Sequence, residues 1–201
     1  MVKLVHITPN STDIIAYAAR FSTATQEEDI NKQIELEEDN EKLVKKLIRR
    51  GHFACLEFAD AMFEIKGSRS MLAQITRHRM FSYMVKSQRY VSEKDFQAIC
   101  PISINRIGNA YDIYEQTIQC IERSYKDLID LGIPKEDARF ILPNACETHL
   151  VMKGNFRSWI EFFTLRCDKH AQWEIRSIAE EMREILKKET FVFKYLYGGK
   201  D

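Results

Sequence analysis

The sequence predicts an α+β fold, a helix-rich chain with a small sheet, organised as a single domain over residues 1–201. Apolar residues recur at helical spacing over much of the chain, whereas only a few short segments show the alternation or β-branched content of strands. No internal repeat, low-complexity tract or linker interrupts this pattern. With 45% hydrophobic and 30% charged residues, the composition is typical of a globular protein that can form one core.

Periodicity together with capping and turn residues predicts the individual elements. The predicted strands are 2–7, 58–65, 89–91 and 148–152, and residues 81–88 are a predicted loop. In the strand 58–65, the predicted apolar face consists of Ala59, Ala61, Phe63 and Ile65. The predicted helices are 11–21 capped by Ser11 or Thr12, 41–50, one from Ser68 or Ser70 to position 80, one from Asn105 or Asn109 to position 131, 134–142, and one from position 156 that continues over 171–188. Gly67 and Gly154-Asn155 are predicted turns, Gly51 and Gly132 end helices, and Asn155 is a predicted cap. Residues 22–39 are polar and acidic, which predicts a connection with some helix.

The predicted helices also place particular side chains together. Gln74 would lie one turn before Arg77 and His78, so that the three share a helical face. Arg166 and His170 would be i,i+4 neighbours. Glu136 in the first turn of the helix 134–142 is a favourable charge at a helix start.

Charge and cysteine content exclude several classes of protein. Thirty basic and thirty acidic residues cancel, which disfavours binding to a nucleic-acid polymer. Five cysteines without CxxC spacing indicate reduced thiols and no metal site. No apolar run is long enough to span a membrane, and the first residues lack a signal-peptide core, so a cytoplasmic location is expected.

The most informative stretch is 77–90, RHRMFSYMVKSQRY. It carries Arg77, Arg79 and Arg89, and no carboxylate occurs anywhere from Arg69 to Ser92. Guanidinium forks with hydroxyl and amide donors suit a ligand that combines a phosphate with a polar ring. A solvated basic face or a loose nucleic-acid patch explains the same charges equally well, and spacing alone leaves both interpretations open.

Common catalytic motifs are missing. The sequence has no GxGxxG, no GxxxxGK[ST], no HExxH and no GxSxG, so no dinucleotide fold, P-loop, zinc protease or hydrolase triad is indicated. Cys146 and Cys167 are possible nucleophiles, but nothing around them favours that role over a buried structural one. Arginine, histidine and amide side chains bind and stabilise anions, whereas redox or carbon-transfer chemistry requires a cofactor.

In its motifs the sequence resembles the flavin-dependent thymidylate synthases. Their signature is Arg-His-Arg, seven residues, then Ser, found here as Arg77-His78-Arg79 and Ser87, followed by Arg89-Tyr90. Further matches follow in the expected order over residues 40–176. They are His52 with Glu57, Arg139 before Leu142-Pro143, Gly154-Asn155-Phe156-Arg157, and Leu165-Arg166 with His170 and Glu174-Ile175.

The resemblance implies an FAD-dependent methyltransferase of thymidylate synthesis with a mainly antiparallel sheet. Its substrate would be dUMP, its carbon donor methylenetetrahydrofolate, and its hydride carrier FAD reduced by NADPH. It would be a homotetramer with shared active sites and would use no enzyme cysteine. The implied dUMP ligands are Gln74, Arg77, Val85, Lys86, Ser87, Gln88, Arg89, Arg139 and Arg166. The implied FAD ligands are His52, Ala54, Arg77, His78, Arg79, Val85, Asn155, Arg157 and Glu161. Arg166 would be catalytic, facing the uracil and favouring its N3-deprotonated form.

Four positions depart from the pattern of many relatives. Met84 and Val85 are apolar where polar residues are common, Ala54 replaces a hydroxyl residue, and Glu161 replaces Asn or His. These departures motivate an alternative, a catalytically inactive relative that binds nucleotide or flavin. An RNA-binding module is a third hypothesis, which the zero net charge opposes.

Overall fold

The computed structural model describes residues 1–22 and 37–199. It confirms the α+β fold class, with a majority of helices and a four-stranded antiparallel sheet. The strands are β1 (Val2–Ile7), β2 (Asp60–Ser68), β3 (Ser82–Val85) and β4 (Glu147–Asn155). The helices are α1 (Ser11–Phe21), α2 (Glu37–Arg49), α3 (Arg69–Ile75), α4 (Ile102–Asn105), α5 (Gly108–Asp130), α6 (Lys135–Ala138), α7 (Phe156–Arg166), α8 (Trp173–Glu189) and α9 (Phe191–Tyr197), with 3₁₀ turns at Ala54–Phe58 and Arg139–Ile141.

The sheet has the strand order β1-β2-β4-β3, so β2 and β4 are central. Its register is visible in backbone hydrogen bonds such as Thr8 N–H to the Asp60 carbonyl at 3.0 Å and Lys86 N–H to the His149 carbonyl at 2.8 Å. The predicted apolar face of β2 is confirmed, because Ala61, Phe63 and Ile65 are fully buried. Period-two alternation therefore identified the core side of this strand correctly.

The described chain divides into two compact units. The first unit contains Met1, Ile65–Arg77 and Tyr83–Val151, and its long helix α5 is followed by Gly132 at φ 84°. The second contains Val2–Glu64, His78–Ser82 and Met152–Asp201. Its core is aromatic: the ring centroid of Trp159 lies 5.2 Å from that of Phe63 and 4.7 Å from that of Phe81. In the described residues, no helix has the length and apolar character needed to cross a bilayer.

Several predictions around the basic stretch are wrong. Helix α3 ends at Ile75 rather than near position 80, because the Arg77 N–H donates to the Gln74 carbonyl three residues back and the i→i−4 pattern does not continue. Gln74, Arg77 and His78 therefore do not share a helical face. The strand follows at Ser82–Val85, where a loop was predicted, and the predicted strand 89–91 is a turn. Gly67 lies within β2 instead of forming a turn, while the predicted Ser68 cap is confirmed by its acceptance of the Met71 N–H.

Helix boundaries elsewhere also moved. The expected continuous helix past position 156 breaks after Arg166, because Asp168 accepts from the His170 N–H at 2.8 Å and Gln172 caps α8. Arg166 and His170 are therefore not helical neighbours. Gly154 and Asn155 finish β4 rather than forming a turn, but the Asn155 cap on the Ser158 N–H is confirmed at 2.8 Å.

Smaller shifts occur near the termini of other elements. Helix α1 follows Asn10 at φ 48°, not a capping Ser11 or Thr12. Helix α2 begins at Glu37, four positions before the predicted start, and residues 23–36 of the acidic connection lie outside the described residues. The predicted helix 134–142 is split into α6 and a 3₁₀ turn, and the predicted strand 148–152 extends to Glu147–Asn155.

We expect Gly154→Ala to destabilise the fold by about 1–3 kcal/mol, because a Cβ at this position would overlap the ring of Phe81. Gly108→Ala is the matched control, since a Cβ there has no heavy atom within 4 Å. It should be neutral or slightly stabilising. Urea unfolding of both variants measures the difference, and equal stability of the two would contradict the assigned packing.

Candidate functional site

The residues singled out in the sequence separate by unit. Those expected to hold dUMP lie in the first unit, apart from Arg166, and those expected to hold FAD lie in the second, apart from Arg77 and Val85. The candidate residues therefore fall into two sets, each mostly within its own compact unit.

In the second unit, aromatic packing holds residues 78–82. The Phe81 ring lies against Gly154 at the end of β4 and meets Trp159 of α7 edge to face. The imidazole of His78 also meets Phe162 edge to face, at a centroid distance of 4.9 Å. The rings of Phe81, packed against β4, and Phe162, on α7, thus determine where His78 lies.

The central contact of this unit joins two residues that are 88 positions apart. Arg166, in the last turn of α7, donates its Nε–H to Nε2 of His78 at 2.8 Å. Burial, with the Arg166 charge adding to it, lowers the pKa of His78 to about 4. The imidazole is therefore neutral near pH 7, and its Nε2 must be the unprotonated nitrogen in order to accept this bond.

A cavity of about 920 Å³ lies in the same unit. It is lined by the predicted flavin ligands His52, Ala54 and Arg157. Further cations and aromatic rings complete the lining, namely Arg20, Lys46, Arg50, Phe21, Phe53 and Phe58. No carboxylate occurs among the described lining residues, so the cavity combines apolar surface with positive charge, which suits a flat ring bearing phosphates.

Arg157 is paired with two carboxylates beside this cavity. Its Nη1 lies 2.8 Å from Glu57 Oε1, and its Nε lies 3.5 Å from Glu161 Oε1, one helical turn further along α7. All three side chains are exposed, so the pairs are weak and exchangeable. Of the other predicted flavin ligands, Asn155 uses its side-chain oxygen as the cap of α7, and Arg79 is exposed.

In the first unit, a single glutamate brings together two predicted dUMP ligands. Arg89 Nε lies 2.6 Å from the Glu136 carboxylate, and Arg139 Nε donates to the Glu136 backbone carbonyl at 3.0 Å. The two guanidinium groups are 50 positions apart in the chain, yet both are anchored at the start of α6. With one carboxylate for two cations, this cluster keeps a net positive charge.

The remaining predicted dUMP ligands of this unit have structural contacts of their own. Lys86 Nζ lies 3.0 Å from the carboxylate of Glu93, which is only 3% exposed. Gln88 is buried, with Nε2 3.5 Å from Cys146 Sγ. Ser87 Oγ accepts from the Arg89 N–H at 3.3 Å, and Gln74 accepts from the Arg77 N–H through its backbone carbonyl. Val85 ends β3. Arg89 is thus the outward-facing cation of this loop, and Lys86 neutralises a buried carboxylate.

Sequence reasoning missed three residues that shape these clusters. Glu136 was taken only as a favourable charge at a helix start, and Phe81 and Glu93 were not singled out. Glu136 contacts Arg89 from 47 positions away, and Phe81 contacts the distant Trp159. Glu93 reaches Lys86 across seven positions of irregular chain, so no helical or strand spacing reveals these contacts. The sequence predicts a turn at Gly154, whereas in the structure its missing side chain leaves room for the Phe81 ring.

The cysteines are poorly suited to nucleophilic attack. Burial raises the pKa of the Cys146 thiol to about 11, and the nearby Glu93 charge adds to the rise. Burial also raises the pKa of Cys167, although Arg183 opposes it. Thiols held protonated near pH 7 do not act as nucleophiles. The expected burial is confirmed for Cys146, whereas Cys167 is only partly buried.

Comparison with known proteins agrees with these motifs. A family model for "Thymidylate synthase complementing protein" matches residues 3–190. The chain is 38% identical to the flavin-dependent thymidylate synthase of Geobacter sulfurreducens, over 92% of this chain and 82% of that protein. The chain belongs to the flavin-dependent thymidylate synthase family. Proteins of the same name from Clostridium tetani and Pyrococcus furiosus are each 35% identical, covering 96% and 93% of this chain and 85% and 79% of their own lengths.

The family match covers the residues of both clusters. The flavin-dependent thymidylate synthase family consists of transferases that form thymidylate, and this chain aligns along nearly its whole length. The aligned region includes β1 to α8, and therefore both the His78–Arg166 contact and the Arg89–Glu136–Arg139 cluster.

We expect Cys146 in the folded protein to resist alkylation by iodoacetamide at pH 8, because a pKa raised from 9.0 to about 11 lowers its thiolate fraction roughly a hundredfold and burial blocks access. Peptide mass spectrometry measures the modified fraction with time. The control is the same reaction in denaturing guanidinium chloride, where Cys146 should react readily. Equal rates in the two conditions would mean that the thiol is neither buried nor suppressed.

Proposed function

We propose that this protein catalyses the reductive methylation of dUMP to dTMP, with methylenetetrahydrofolate as carbon donor and FAD, reduced by NADPH, as hydride carrier. In balance, dUMP, methylenetetrahydrofolate, NADPH and a proton give dTMP, tetrahydrofolate and NADP⁺. The observation that carries the proposal is the Arg166 guanidinium held by a neutral imidazole within a chain of this family. This contact orients the guanidinium without cancelling its charge.

The residues of the second unit fit FAD. The cavity of about 920 Å³ offers aromatic and aliphatic walls and cations without a carboxylate in its described lining. His52, Ala54 and Arg157 would hold the cofactor there, with His78, Arg79, Asn155 and Glu161 as the further ligands that the family resemblance implies. Bound FAD would supply the hydride, which no side chain of the protein can supply. Arg157 would exchange Glu57 and Glu161 for phosphate, and Glu161 weakens that exchange through like-charge repulsion.

The residues of the first unit would bind dUMP. Arg89 and Arg139 supply two guanidinium groups around Glu136, and their net positive charge suits a phosphate. Ser87 adds a hydroxyl beside the Arg89 N–H, and Val85, Lys86 and Gln88 shape the same segment. Gln74 and Arg77 would complete the set. The buried Lys86–Glu93 pair supports a positioning role for Lys86 more than direct phosphate contact.

Arg166 would act on the uracil. A guanidinium beside the ring favours the N3-deprotonated form and stabilises negative charge that develops during methylation. The low pKa of His78 supports this role, because a protonated imidazole at 2.8 Å would repel the guanidinium and could not accept its Nε–H. No thiol nucleophile is required, in agreement with the raised pKa of Cys146.

We also propose that the protein acts as a cytoplasmic homotetramer whose subunits share active sites. Large apolar side chains are exposed within each unit, as expected of surfaces that meet other subunits. Examples are Met84 at 76% and Phe140 at 81% exposure in the first unit, and Met80 at 72% and Leu165 at 61% in the second.

The alternative is an inactive relative that binds nucleotide or flavin. The pairing of Glu161 with Arg157 and the exposed apolar Met84 favour it, since both reduce the polar contacts available to a flavin. Anaerobic incubation of dUMP, methylenetetrahydrofolate and chemically reduced FAD with the protein separates the two functions. We expect dTMP and tetrahydrofolate, and no dTMP when any one component is omitted. Tight binding of dUMP or FAD without dTMP formation would instead identify the inactive binder.

We expect Arg89→Ala to weaken dUMP binding about tenfold or more while leaving FAD affinity unchanged, because it removes a charge-assisted contact to phosphate. Equilibrium binding of each ligand measures this. Arg106→Ala is the control, since it removes the same charge from another exposed position in the first unit. Equal dUMP affinity in both variants would refute the phosphate role of Arg89.

A further inference from the structure

We propose that His78 is a positioning residue for Arg166: the lone pair on its Nε2 fixes the direction in which the guanidinium points, in addition to any contact that His78 makes with flavin. The inference rests on the proposed function, because it concerns the residue assigned to uracil activation. It is carried by the 2.8 Å hydrogen bond from Arg166 Nε to His78 Nε2 within one compact unit.

The direction of this bond matters. When Nε–H is bound to the imidazole, the rotation of the guanidinium plane is restricted, so its two terminal amino groups present a fixed edge. Arg166 is in the last turn of α7, immediately before the C-cap residue Cys167, where the helix backbone alone leaves a long side chain free to adopt several rotamers. His78 supplies the restriction from a segment far away in the chain.

His78 is itself held from two sides. Its ring lies edge to face with Phe162 of α7 at 4.9 Å and with Phe81 at 6.3 Å. Phe81 in turn lies against Gly154, where any Cβ would displace it. A rigid support of this kind is what a positioning residue requires, since an imidazole free to rotate could not orient a guanidinium.

The hydrogen bond that His78 accepts from Arg166 also defines the protonation state of its imidazole. Nε2 must lack a proton, so His78 is the neutral tautomer with its proton on Nδ1. Burial and the Arg166 charge favour this state, as the lowered pKa of about 4 indicates. A carboxylate in the same place would orient Arg166 equally well but would neutralise the charge needed to stabilise an anion.

The first experiment tests the hydrogen bond without reference to activity. Histidine labelled with ¹⁵N is introduced into the FAD-loaded enzyme, and the His78 signals are assigned by their loss in His78→Gln. At pH 7 we expect Nε2 to show the shift of an unprotonated nitrogen in the wild type and tautomer mixing in Arg166→Ala. A wild-type His78 protonated on Nε2 would overturn the proposal whatever the enzyme catalyses.

The second experiment tests positioning. His78→Phe keeps a ring against Phe162 but removes the acceptor, whereas His78→Gln keeps an acceptor oxygen. We expect His78→Phe to lower kcat about a hundredfold even when FAD is saturating, so that any loss of flavin affinity does not enter, and His78→Gln to recover most of that loss. In an Arg166→Ala background, His78→Phe should have little further effect, because the residue through which it acts is gone. His149→Phe, at an exposed position of β4, is the control.

The opposite results overturn the proposal. Independent, additive losses in the double variant, or a loss in His78→Phe that is fully explained by weaker FAD binding, would mean that His78 acts on the flavin alone. If the wild type forms no dTMP, the proposed function fails, and dUMP affinity decides the positioning role instead. Equal weakening of dUMP binding in His78→Phe and Arg166→Ala would then support it, and unchanged binding in His78→Phe would refute it. If His78→Phe does not fold, His78→Leu replaces it in both comparisons.

Discussion

The contact on which the second unit's site depends is the seating of Phe81 on Gly154. Because Gly154 has no side chain, the ring lies directly against the end of β4 and reaches Trp159 and Phe162 on α7. Residues 78–82 belong to this unit, and His78 and Phe81 contact its aromatic rings. The packing of Phe81 on Gly154 thus supports His78, which in turn orients Arg166. A change at Gly154 would therefore affect both the stability of the fold and the proposed catalytic role of Arg166.

The side-chain contacts of the candidate arginines differ in charge. Arg157 and Arg89 contact exposed carboxylates, whereas the Nε–H of Arg166 is accepted by a neutral imidazole. A residue that only binds phosphate can exchange a carboxylate for it at small cost, because exposed ion pairs contribute little. A residue that stabilises developing charge benefits from a partner that orients it and leaves its charge intact.

Sequence patterns predicted the elements whose signals are local and missed those set by distant partners. The Ser68 and Asn155 caps and the buried face of β2 were correct because capping and alternation are short-range properties. The β3 strand was missed because its pairing comes from β4, through contacts such as Lys86 N–H to the His149 carbonyl. Likewise, motifs singled out His78, Arg89, Arg139 and Arg166, but no spacing could predict that His78 meets Arg166 or that Glu136 joins the other two.

Glu136 would have a definite role in the proposed phosphate site, because it contacts both of its arginines. Two guanidinium groups held close together repel each other, so Arg89 and Arg139 need a negative neighbour when no phosphate is bound. The carboxylate of Glu136 pairs with Arg89, and the side chains are 46% and 57% exposed, respectively. Water screens such an exposed pair, so another anion can replace the carboxylate at small cost. Arg139 is anchored separately, to the Glu136 backbone carbonyl, so it would stay in place when the carboxylate turns away. A phosphate with more than one negative charge would therefore replace Glu136 at Arg89 while finding Arg139 already oriented.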